Sequence, residues 1–161
     1  MKIKKKITVL LIMLSIFSLA GCTKKEKEST GKIDIDNGWV KCSDENEALN
    51  ISKLEIALPK SEGKRTYRAI DGQAIEITED DLVLRKGLAI GEDISGDYEN
   101  YKGGGTFTIT PTGKTEIIVS YKGYPVEIHV AVWSIGDYSY SINSTEGLTI
   151  DEIVEIVSSF E

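Results

Sequence analysis

"VEIHVAVWSIGDYSYSI" (126–142) decides the fold class. Across 126–133, Val126, Ile128, Val130 and Val132 point one way and Glu127, His129, Ala131 and Trp133 the other. Across 137–142, Tyr138, Tyr140 and Ile142 alternate against serines. A period of two over such lengths marks β-strands with two unlike faces, because successive side chains on a strand point to opposite sides. A parallel return would need a crossover of about a dozen residues or more, so strands this close in sequence lie antiparallel.

The same pattern continues upstream. "RTYRAI" (65–70) and "AIEIT" (74–78) flank Asp71-Gly72, which reads as a two-residue hairpin turn. "DLVLRKG" (81–87), "TFTIT" (106–110) and "TEIIVSY" (115–121, after a Pro-Thr-Gly turn) complete the set. Short connections between them predict an antiparallel meander.

Two segments break the strand pattern. "SDENEALNIS" (43–52) opens like a short helix, with Ser43 or Asp44 as cap and acids in the first turn. At the other end Thr149 and Glu152 form a capping box. There Ile150, Ile153, Val154, Val157 and Phe160 make one apolar stripe, which needs a sheet face to cover. The expected class is α+β: a twisted antiparallel sheet of about six or seven strands with a C-terminal helix packed on one face.

The N-terminus reads as a processing signal. Lys2, Lys4, Lys5 and Lys6 precede the uncharged apolar run Ile7 to Leu19. That run is shorter than the roughly 20 residues a membrane-spanning helix takes. "LAGC" (19–22) resembles the lipobox of bacterial lipoproteins, in which the cysteine is acylated and cleavage falls just before it. The resemblance implies a signal peptide over 1–21, with Gly21 the last residue removed and Cys22 the lipidated mature N-terminus. Residues 22–36 then form a flexible tether, and 37–161 a single α+β domain. Two acyl chains on one cysteine meet the two-signal requirement for stable anchoring.

Charge narrows the partners. The chain carries 19 basic and 26 acidic side chains, net −7, and loss of four lysines with residues 1–21 leaves 15 against 26, net −11. Such a chain lacks the Lys/Arg excess that nucleic acid requires, and its membrane link should run through the lipid. With Cys22 acylated, Cys42 is a lone thiol that makes neither an intrachain disulfide nor a cysteine-based zinc site. Its mostly acidic neighbours, Asp44, Glu45 and Glu47, favour a partly buried and inert thiol.

Candidate chemistry is sparse. His129 is the sole histidine, on the more polar face of its strand. "DIDNG" (34–38) puts its glycine one place early for a calcium loop. "KGGG" (102–105) lacks the lysine and the strand-to-helix setting of a phosphate cradle. The remaining cluster is "GEDISGDYENYKGGG" (91–105), with Glu92, Asp93, Asp97 and Glu99. Among glycines these acids read as a solvated turn: Gly91 and Gly96 adopt φ > 0, Asp97 and Tyr98 help set the geometry, and Tyr98 or Tyr101 packs back onto the sheet.

"EDISGDYENY" (92–101), "AVWSIGDYSYSI" (131–142) and "GLTIDEIVEIVSSF" (147–160) together resemble a domain of unknown function frequent in lipoproteins and secreted proteins of Gram-positive bacteria. That family is remotely similar to the lipoprotein-carrier fold of outer-membrane lipoprotein sorting. The resemblance implies a curved, half-barrel-like antiparallel sheet with helices across its concave face. It brings no catalytic residues, metal or cofactor. The expected function is a non-catalytic, lipid-anchored binding domain on the extracytoplasmic side of the cell membrane, monomeric, holding a hydrophobic or envelope-derived ligand between sheet and helix. The alternative is a surface-tethered protein-interaction module in envelope or sporulation-type signalling. A small hydrolase combining the acidic segment with His129 ranks third.

Overall fold

The structure, a computed structural model, describes residues 37–56, 63–89, 91–110 and 115–160. The signal peptide, Cys22, the tether, Asp34 and Asp36, and the Pro-Thr-Gly turn lie outside the described residues.

Among the described residues eight strands form one antiparallel sheet, rather than six or seven. They are β1 Val40–Cys42, β2 Arg65–Ile70, β3 Ala74–Glu79, β4 Leu82–Gly87, β5 Gly104–Ile109, β6 Ile117–Tyr124, β7 Glu127–Ile135 and β8 Tyr138–Leu148. The added strand is β1, whose three residues are too few to show an alternation. Helix α1, Glu45–Ser52, begins where Asp44 accepts a bond from the Glu47 N–H, and α2, Ile150–Ser158, begins at the capping box of Thr149 and Glu152. The β2–β3 hairpin closes through three residues, 71–73, rather than two: Ile70 pairs Ala74, and Gln73 N–H donates to the Ile70 carbonyl at 3.0 Å.

The strand order β1-β2-β3-β4-β8-β7-β6-β5 corrects the simple meander. Two four-stranded meanders, β1–β4 and β5–β8, meet where β4 pairs β8. The chain leaves β4 in the middle of the sheet and re-enters at its edge as β5. Segment 88–103, which includes most of the acidic stretch, is therefore a crossover and not a turn between neighbours. Its local composition resembles a turn; only the β4–β8 pairing, a contact between residues about 60 apart in sequence, reveals the crossover.

The two faces of the sheet divide the work. Toward the helices point Tyr67, Ala69, Ile75, Ile77, Leu84, Ile117, Val119, Ala131, Trp133, Tyr140 and Ile142, in one core with Ala48 of α1 and Ile153 and Val157 of α2. Trp133 stacks on Tyr140 at 5.5 Å between ring centres, and Phe160 closes over both. Toward the crossover point Arg68, Glu76, Arg85, Ser139, Ser141 and Asn143.

Strand β7 corrects the alternation assigned to 126–133. The β7–β8 register shifts between Ile128 and Val130, so Ile128 stays with the helix-side core while Ala131 and Trp133 join it. The irregularity turns both His129 and Val130 to the crossover side, and every later side chain changes face. On β8 the serines expected to stand opposite the apolar residues do so, yet Ser139 and Ser141 are fully buried because the crossover covers them.

Candidate functional site

The crossover is fastened by side chains from four strands. Arg85 of β4 donates through Nη1 to the carbonyls of Ile94 (3.2 Å) and Ser95. Asn143 of β8 donates Nδ2 to the same Ser95 carbonyl at 3.1 Å, and the Ser139 hydroxyl donates to the Ala89 carbonyl. Lys122 of β6 donates to the Asp97 carbonyl at 2.8 Å and pairs with the Asp93 carboxylate at 3.1 Å. Ser134 of β7 accepts from the Gly91 N–H at 3.2 Å. Backbone carbonyls lying over a sheet face must be paired or they cost free energy, and Arg85, Asn143, Ser139 and Lys122 supply the donors.

Arg85 can reach those carbonyls because its charge is balanced below. Glu76, 4% exposed, accepts two bonds from Arg68 (2.6 and 2.8 Å) and one from Arg85 (2.8 Å). The Trp39 ring lies 5.2 Å from the Arg68 guanidinium and 5.6 Å from that of Arg85. Beside this ladder Ile70, Ala74, Ala89 and Ile94 form a small second core. The ladder was hidden in the sequence because its arginines stand on different strands. Arg68 and Glu76 were recoverable, since the β2–β3 hairpin places them directly opposite.

Asp93 and Asp97 also accept hydrogen bonds from within the segment. Asp93 accepts from the Ser95 N–H at 2.9 Å, and Asp97 accepts from the Glu99 N–H at 2.9 Å and the Tyr101 hydroxyl at 2.8 Å. Burial would raise the Asp93 carboxyl, but the Ser95 hydrogen bonds and Lys122 outweigh it and hold it below the ordinary 3.8. Burial, with the hydrogen bond to Asp97, pushes the Tyr101 phenol up to about 12. Gly91 and Gly96 have φ of 73° and 61°. Tyr101, not Tyr98, packs back onto the sheet, its ring stacked on His129 at 5.0 Å, whereas Tyr98 is 76% exposed.

His129 lies half-buried under that ring. Its Nδ1 is 3.0 Å from the Ser144 carbonyl, which only accepts, so Nδ1 carries the proton. Its Nε2 lies 3.8 Å from the Glu127 carboxylate, and Asp97 is turned to Tyr101 and the backbone. No three His, Cys, Asp or Glu side chains converge to hold a metal among the described residues. Cys42 is a buried free thiol, and burial, then Glu47 and Asp44, raise its pKa and disfavour thiolate.

Two surface features remain. A groove of about 360 Å³ lies on the crossover side of β6 and β7, lined by Gly91, Glu116, Ile118, Ser120, Val132 and Ser134. At the β6–β7 hairpin, Tyr124 and Val126 are 52% and 79% exposed, and Ile118 is 63% exposed. No protein-family model, curated protein or solved structure matches this chain.

Proposed function

We propose that this chain is a non-catalytic, lipid-anchored protein-interaction module of the extracytoplasmic membrane surface. Cys22 carries the anchor, 22–36 the tether, and 37–161 presents a binding surface to an envelope protein. The observation that carries this choice over a ligand carrier is the filling of the helix–sheet interface. Trp133, Tyr140, Phe160, Ile153 and Val157 occupy the space in which a carrier of half-barrel type would hold its ligand. Apolar side chains are instead spent on the outside, at Tyr124, Val126 and Ile118, where burying them against a partner yields about 25 cal/mol per Å².

A second reading keeps a small hydrophobic ligand but moves it to the outer groove, whose volume falls within the roughly 300–1,000 Å³ of ligand sites. The two readings part experimentally. In the interaction module, Tyr124→Ser with Val126→Ser abolishes crosslinking of the membrane-bound chain to its partner, and Val132→Trp, which fills the groove, leaves it intact. The reverse pattern, with loss of a co-purifying small molecule on Val132→Trp, selects the groove. Cys22→Ala releases the chain from membranes; a processed variant retained there refutes the anchor.

A further inference from the structure

The sheet ends in two unlike edges. β1 has three residues, one of them Lys41, a common way of blunting an edge. β5, Gly104–Ile109, has six residues with no charge and no proline, and its register with β6 is unbroken. Among the described residues it pairs with β6 alone, and Gly104, Gly105, Thr106 and Thr108 are exposed. The outer row of N–H and C=O groups along such a strand, otherwise left to water, is a ready-made template for another extended strand.

We propose that β5 pairs with β5 of a second copy of this chain, antiparallel about a two-fold axis, joining two eight-stranded sheets into one. The sequence of the strand fits itself. With Phe107 opposite Phe107 of the second copy, Thr106 faces Thr108 and Gly105 faces Ile109. Residues directly opposite share a face, so this register keeps the helix layers of both copies on one side. It covers the half-buried Phe107 rings with one another and sets threonine against threonine outside.

Charge selects the same edge. Two copies of a chain with net charge −7 repel, and β5 offers a stretch where they meet without a like-charge contact. Pairing β5 with itself consumes the β5 edge of both copies, and the remaining β1 edges are too short and too charged to extend the array, so the product closes as a dimer. A single strand pair buries less than the roughly 1,200 Å² of a stable interface. Its strength, though not its geometry, therefore rests on the proposed anchor, which raises the effective concentration of neighbours on one membrane.

Cysteine crosslinking of the full-length chain tests this. Thr106→Cys and Thr108→Cys chains, co-expressed and mildly oxidised in membranes, should form a disulfide dimer at least about tenfold more than either variant alone. Opposed Cα atoms lie within disulfide reach, whereas like residues are offset beyond about 7 Å. In solution, the Cys22→Ala chain should sediment as a weak dimer whose dissociation constant rises about tenfold on adding Thr108→Lys. Equal crosslinking by the single variants, or no mixed crosslink in membranes together with a monomer in concentrated solution, overturns the pairing. If the wild-type chain is absent from membranes but Cys22→Ala still dimerises, the anchor falls and the pairing stands.

Discussion

Glu76 carries two guanidiniums at once, at 2.6 and 2.8 Å, while almost wholly out of water. Replacing it with Gln keeps the shape and leaves both cations uncompensated above a sheet. We expect Glu76→Gln to lower unfolding stability by about 3 kcal/mol in denaturant titration. Titration should reveal two other residues. The folded Asp93 pKa is depressed, so its contribution is present above the unfolded value and lost as pH falls through the folded one. Asp93→Asn should flatten the acid limb of the stability curve below about pH 4. The folded Tyr101 pKa is raised, so its contribution is complete below about pH 10 and disappears as pH climbs toward about 12. Tyr101→Phe should remove one late-titrating phenol from the alkaline absorbance titration. At this scale the sequence was informative about residue type and silent about partners. The four acids were visible, but Lys122 and Arg85, which fasten the acidic segment, come from strands that the chain order does not place beneath it.

Crossover 88–103 and helix α2 illustrate what makes an element legible. Helix α2 is written locally: the Thr149 hydroxyl and the Glu152 carboxylate satisfy each other's backbone N–H groups within one turn. Thr149→Ala should cost about 1 kcal/mol and fray the first turn in hydrogen exchange. The crossover is held from outside. Gly96 has φ 61°, and a Cβ there would run into the Arg85 guanidinium, whereas Gly91, at φ 73°, faces open space. Gly96→Ala should therefore destabilise by about 2 kcal/mol and loosen the crossover in hydrogen exchange. Gly91→Ala should cost about 1 kcal/mol, from backbone strain alone. Equal losses at the two glycines would show that Arg85 does not clamp the segment. Both glycines were readable as φ > 0 positions from composition. That they serve a strap over the sheet, and not a hairpin, was not.

For the whole molecule, the division of labour between the faces decides which surfaces stay open. The helix side is a filled core centred on Trp133, and Trp133→Ala should cost about 4 kcal/mol by thermal or denaturant unfolding. The crossover side is polar and clamped, leaving the groove beside Ile118, the β6–β7 hairpin and the edge of β5 as surfaces open to partners. The alternation in 65–87, 106–110, 117–121 and 138–142, the caps of both helices, the apolar stripe of α2 and the α+β class were all determined by the sequence itself. Each depends on residues within a few positions of one another, where periodicity and capping act. The joining of the two meanders at β4–β8, the crossover that buries Ser139 and Ser141, the face change at His129 and the exposure of an uncharged β5 edge were decided by tertiary structure. These depend on which strands meet after the chain has closed a long loop, and short-range pattern does not encode that choice.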